Sequence, residues 1–121
     1  MNKNPRIEWS QKSGRQYLKF TFEGILTSKD ADVAIAEWKK MFQSKTGKSI
    51  ILIWDCRKMK SYDSGARVIW TNALKEMKSQ IDKIWLISDS SLIRMGASVM
   101  GLVTSLDIKA ISSESEIVIN T

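Results

Sequence analysis

The sequence predicts a single α/β domain in which a small mixed sheet is flanked by helices. Two continuous apolar runs, Ser49-Ile50-Ile51-Leu52-Ile53-Trp54 and Lys83-Ile84-Trp85-Leu86-Ile87-Ser88, have the composition of strands buried on both faces. Such strands belong to parallel sheets covered by helices. Stretches with apolar residues at helical spacing alternate with these runs through short connections. That alternation is the signature of an α/β layer fold with right-handed crossovers. At 121 residues the chain has room for one core and not for two. Residues 1–16 read as an N-terminal segment with room for an edge strand, 17–116 as the domain, and 117–121 as a C-terminal tail.

Taken in order, Ile7-Glu8-Trp9 is a short edge strand, and Gln11–Arg15, with Gly14, is a turn that joins it to the next strand as a hairpin. Tyr17–Gly24 is rich in aromatic and β-branched residues, with Leu18, Phe20 and Phe22 on one face and Gly24 as its stop. Thr27-Ser28-Lys29-Asp30 supplies the capping oxygens and the first-turn acid of a helix. Its core face is Ala31, Ala34, Ile35, Trp38, Met41 and Phe42, and Gly47 closes it. A second helix follows Ser64 to about Gln80, with Ala66, Ile69, Trp70, Ala73, Leu74 and Met77 as its stripe. Asp89-Ser90-Ser91 caps a third, which is apolar nearly all round and therefore buried on more than one side or used by a partner. Asp107–Ile111 is a last short strand, and Ser112–Glu116 starts a helix that remains a stub.

Composition narrows the function. There is no histidine, which removes the commonest general base, the Ser-His and Cys-His nucleophile pairs and most zinc sites. An enzyme is therefore not expected, and neither is a metal or a cofactor. Cys56 is alone, consistent with a reducing compartment. No apolar stretch reaches membrane-spanning length and Met1–Arg6 lacks the apolar segment of a signal peptide, so the expected setting is the cytoplasm without membrane insertion. The net charge of +6 is spread over scattered lysines rather than gathered on one aromatic-studded face, so nucleic acid is not an expected partner.

The stretch that concentrates chemistry runs from Trp54-Asp55-Cys56 through the basic loop Arg57-Lys58-Met59-Lys60 to Ser61-Tyr62-Asp63-Ser64-Gly65-Ala66. It leaves the carboxyl end of the central strand, where open α/β folds place ligands and partners. Either Asp63 or Ser64 serves as a helix cap worth about 1 kcal/mol. Asp55 reads as the anchor of a loop by a hydrogen bond.

Strand, acid, short basic loop and Asp-Ser-Gly opening a helix resemble the STAS family, the sulfate transporter and anti-sigma factor antagonist domains. The resemblance extends over roughly Tyr17 to Glu116. It implies a small mixed sheet flanked by helices and a bacterial regulatory module that binds a protein partner such as a serine kinase-like regulator. It also implies phosphorylation of the serine before the glycine, here Ser64. The implied recognition surface comprises Asp55, Tyr62, Asp63, Ser64, Gly65, Arg67, Asp89 and Ser90. This chain departs from the family pattern in having one serine before the glycine, Ala66 in place of a larger aliphatic residue, bulky Trp54 and Trp70, and almost no C-terminal helix.

A phosphate on Ser64 would meet the positive end of its helix while adding a charge of about −1.5 to −2 to the partner-facing surface. Gly65 is expected to let a kinase approach the backbone, and Arg67 to offer a neutralising charge. The alternative is a binder of a nucleotide or lipid, with the five tryptophans lining a pocket.

Overall fold

Consecutive strands joined by right-handed crossovers in one direction must place all their helices on the same side of the sheet. The computed structural model, which describes residues 3–45 and 49–118, has this arrangement. Five strands lie in the order β1 (Arg6–Lys12), β2 (Arg15–Leu26), β3 (Ile50–Tyr62), β4 (Ile81–Ile87) and β5 (Ile108–Ile111). The β1–β2 pair is antiparallel and the remaining pairs are parallel. Helices α1 (Ser28–Gln43), α2 (Ser64–Met77) and α3 (Ser91–Thr104) make the three crossovers. A 3-10 turn, Lys78–Gln80, extends α2, and another, Glu114–Glu116, is the C-terminal stub. Gly47, expected to close the first helix, lies outside the described residues.

The mixed α/β architecture matches the expectation from sequence, and three details correct it. Gly24 does not end its strand. It adopts φ +62° inside β2, next to a register shift between Gly24 and Ile25, so its freedom produces a bulge. The edge strand is longer than Ile7–Trp9, and Ser13 and Gly14 both take positive φ, as a two-residue hairpin turn requires. The third correction concerns the basic stretch Arg57–Lys60. It is not a loop: it continues β3, paired with β2 through Glu23↔Lys58, Gly24↔Met59 and Leu26↔Tyr62. The β3–β4 pairing stops at Asp55↔Ile87, so beyond this point β2 and β3 project together as a two-stranded arm.

The helix-covered face holds the main core. Leu18, Phe20 and Phe22 of β2 and Leu52, Trp54 and Cys56 of β3 point into it, as their period-2 spacing requires. Trp70 is its aromatic hub, with ring centroids 5.4 Å from Trp38, 5.6 Å from Phe22 and 6.0 Å from both Phe20 and Trp54. The opposite face carries Tyr17, Ile51, Ile53, Trp85, Ile87 and Ile111. No helix among the described residues covers it. Ile117 of the C-terminal segment packs there instead, and Lys83 and Lys109 lie over the Trp85 ring.

Candidate functional site

The projecting arm brings the starts of α1 and α2 side by side. Asp63 N–H donates to the carbonyl of Leu26, the last residue of β2 (3.0 Å). The Asp63 carboxylate then serves both helices. It accepts from Ala66 N–H (2.6 Å) as the N-cap of α2, and from the Ser28 N–H (3.1 Å) and hydroxyl (3.0 Å) at the first turn of α1. The Ala66 N–H, reinforced by Ser28, holds the Asp63 carboxyl below its ordinary pKa.

Asp63, and not Ser64, is therefore the cap. Ser64 is the first residue of α2, it is exposed, and its hydroxyl has no hydrogen-bond partner among the described residues. The capping function that would explain a serine here is already filled by its neighbour.

Gly65 has a packing reason of its own. A Cβ built on it would run into Ser28 Oγ, so the close approach it permits is that of α1 rather than of an outside enzyme. Tyr62, the last residue of β3, is half-buried. Its hydroxyl lies where a Cβ on Gly96 of α3 would come within 2.6 Å of it. Arg67 is exposed one turn along α2 from Ser64, within reach of a charge placed there.

Asp55 is elsewhere. The pleat turns it to the opposite face from Trp54 and Cys56, and β3 runs on for a further seven residues, Cys56–Tyr62, before α2 begins. Its carboxylate accepts from the Arg57 guanidinium at 2.7 and 2.9 Å and from the Arg57 N–H at 3.2 Å, and Arg57 also faces Glu114 of the C-terminal stub (3.8 Å). The anchoring reading of Asp55 fits this geometry, while a shared site with Ser64 does not. Those hydrogen bonds hold its carboxyl below the usual carboxylate range, against the opposing effect of burial.

Ser90 caps α3 by accepting from Ile93 N–H (3.3 Å), and Asp89 beside it is exposed. Arg94 secures the turn by donating to the Ser88 carbonyl (2.7 Å). Because β4 ends opposite Asp55 while β3 continues, the neighbour of the α2 start is the α1 start. The recognition residues read from sequence thus do not form one cluster around Ser64: Tyr62 to Arg67 gather at the α2 start, while Asp55 is paired with Arg57, whose charge also feels Asp89.

Between α2 and α3 lies a feature that sequence reasoning did not single out. A trough of about 460 Å³ is walled by Arg67, Val68, Thr71 and Asn72 on one side, and by Leu92, Met95, Val99 and Val103 on the other. Beneath it, an apolar cavity of about 60 Å³ is lined by Phe22, Trp54, Cys56, Met59 and Trp70 among others. Burial pushes the Cys56 thiol pKa up, so this cysteine is a packing residue rather than a nucleophile. Two signals in the sequence pointed to the trough. The third helix is apolar nearly all round, and Val68 falls outside the core stripe of α2.

Residues 17–117 match the SpoIIAA-like family. The chain belongs to it. The SpoIIAA-like assignment agrees with the STAS resemblance of the Asp63-Ser64-Gly65 stretch. Among solved structures, the chain is similar to an uncharacterised protein of Shewanella loihica with a SpoIIAA-like fold. The TM-score is 0.80 and the identity 14%, over 93% of this chain and 90% of that one. It is also similar to the anti-sigma factor antagonist SpoIIAA in its unphosphorylated form, with a TM-score of 0.61 and 14% identity over 92% of each chain. At that identity the two structures speak to the fold alone. The comparison with curated proteins yields no match. No helix among the described residues is long and apolar enough to cross a membrane.

Proposed function

We propose that this SpoIIAA-like domain is a non-enzymatic regulatory module that binds a protein partner, and that phosphorylation of Ser64 switches the binding. One observation carries the reading: Ser64 stands exposed at the first position of α2 while Asp63 does the capping. A phosphate there adds a charge of about −1.5 to −2 at the positive end of the helix, so the fold tolerates it. The fixed Asp63 carboxylate beside it makes the new surface strongly negative. Arg67 offsets part of that charge but stands a full turn away. A partner that docks across the α2 start with acidic or apolar groups is then released without any change in the domain core.

The test uses wild-type protein and the Ser64→Asp and Ser64→Ala variants as baits in lysate of the source cells, with phosphopeptide mapping of the recovered chain. A regulatory protein held by wild type and Ser64→Ala, and lost by Ser64→Asp, supports the switch. Equal retention by all three baits refutes it.

A second reading, binding of a small lipid with a polar acceptor, is favoured by the apolar cavity under the trough. Trp54 lines it, and the buried indole N–H of Trp54 has no hydrogen-bond partner among the described residues. The nucleotide version of this reading is not supported, because Arg67 is the one charged residue lining that cavity and nothing else there would hold a phosphate. A thermal-shift series with fatty acids separates the readings: a concentration-dependent rise in Tm favours the ligand, and a flat series favours the protein partner.

A further inference from the structure

We infer that the trough between α2 and α3 is the seat of one amphipathic helix of the protein partner, carrying acidic side chains beside its apolar stripe. This rests on the protein-binding reading above and names the chemistry of that partner.

The shape argues for a helix. The α3 wall runs from Leu92 to Val103, three turns or about 16 Å, which accommodates the span of about 11 Å between anchors at i, i+3/i+4 and i+7 of a docked helix with a turn to spare. Gly96 lies on the floor between the walls, and Met95 can adapt to what it meets. Val68, Leu92, Met95, Val99 and Val103 are 48–76% exposed, an apolar surface that a folded chain rarely leaves without use.

The charge argues for an acidic flank. Arg67 lines the trough, and Lys75 continues the same α2 stripe one turn beyond Thr71. No carboxylate is among the lining residues. Glu76, the acid of α2, is turned to Lys39 of α1 (2.6 Å). Ser64 lies one turn from Arg67, so its phosphate would oppose the acidic end of the bound helix, and the switch and the seat become one device.

Leu102 separates this from a flat apolar surface. Among the described residues it is the most exposed large apolar side chain, at 82%, yet it lies outside the trough. A helix seated in the trough does not need it, whereas a bilayer lying against α3 does.

The probes are a fluorescein-labelled amphipathic peptide with leucine at i, i+3, i+4 and i+7 flanked by glutamate, the same peptide with lysine for glutamate, and phosphatidylcholine vesicles containing phosphatidylglycerol. Fluorescence anisotropy is expected to show the acidic peptide binding at least tenfold more tightly than the basic one. Met95→Ser and Val99→Ser should each weaken it at least fivefold, Arg67→Glu should abolish the acidic preference, and Leu102→Ser should leave it unchanged. Equal binding of both peptides, or of neither, overturns the inference. So does vesicle binding that Leu102→Ser and Met95→Ser weaken alike. A partner captured by wild type, lost by Ser64→Asp and retained by Met95→Ser would overturn the seat while leaving the regulatory reading standing.

Discussion

Replacing Gly65 by alanine should destabilise the domain, and removing the Ser28 hydroxyl should reverse the sign of that effect. The Cβ of an alanine at 65 meets Ser28 Oγ well inside contact distance, whereas it lies 3.4 Å from Ser28 Cβ, which is ordinary packing. In the wild-type background Ser28 must rotate away and give up its hydrogen bond to Asp63. Overpacking of this kind costs about 1–3 kcal/mol. Against it stands the helix-propensity gain of Gly→Ala, about 0.5–1 kcal/mol, at a helical position whose φ is not positive. Gly65→Ala alone is therefore expected to be destabilising by about 0.5–2 kcal/mol, or about 2–10 °C in Tm for a domain of this size. Within Ser28→Ala the obstructing oxygen is gone, and Gly65→Ala should be neutral or stabilising by up to about 1 kcal/mol. Urea unfolding of the four proteins measures the cycle. Equal destabilisation in both backgrounds would refute the packing account and return Gly65 to a role in admitting an outside partner.

Other expectations follow from the same contacts. Trp70→Ala, at the centre of four aromatic contacts, should cost about 3–5 kcal/mol, measured by urea unfolding. Asp55→Asn should cost about 1–2 kcal/mol near neutral pH, a figure discounted because Arg57 is 42% exposed. The folded-state carboxyl of Asp55 is depressed, so its contribution is fully present above about pH 4 and is lost as pH falls through the folded pKa. The stability gap between wild type and Asp55→Asn should therefore be constant above about pH 5 and close below about pH 4; a gap that persists to pH 2 would contradict the pairing. Ser64→Asp should unfold within about 0.5 kcal/mol of wild type, because Ser64 is exposed and no hydrogen bond is lost; a larger change would mean the variant perturbs the fold rather than the surface.

Much of the fold was legible because its strands and helices obey strong rules. Leu18, Phe20 and Phe22 alternate, Ile50 to Trp54 are continuously apolar, and the α1 and α2 stripes repeat at helical spacing. What escaped notice was where these rules do not apply. Arg57-Lys58-Met59-Lys60 reads as a loop because a strand buried on both faces should not carry three cations. The arm beyond Asp55 has lost its β4 neighbour, however, and is open to water. Gly24 reads as a stop because periodicity cannot distinguish a terminus from a bulge. The start of α2 was located from its cap chemistry, but sequence alone could not divide the capping between Asp63 and Ser64. That division depends on Ser28, a residue 35 positions away, and so on the pairing of β2 with β3. The trough was foreshadowed by the all-round apolarity of the third helix, and its opposite wall only by Val68 standing off stripe.

The most direct test of the account is the affinity of the captured partner for the domain with and without phosphate on Ser64, measured by calorimetry on stoichiometrically phosphorylated protein. The account predicts binding at least tenfold weaker after phosphorylation, about 1.4 kcal/mol or more, with the unfolding midpoint of the isolated domain unmoved. Equal affinity of the two forms, or a lost affinity that tracks a lowered midpoint, would contradict it.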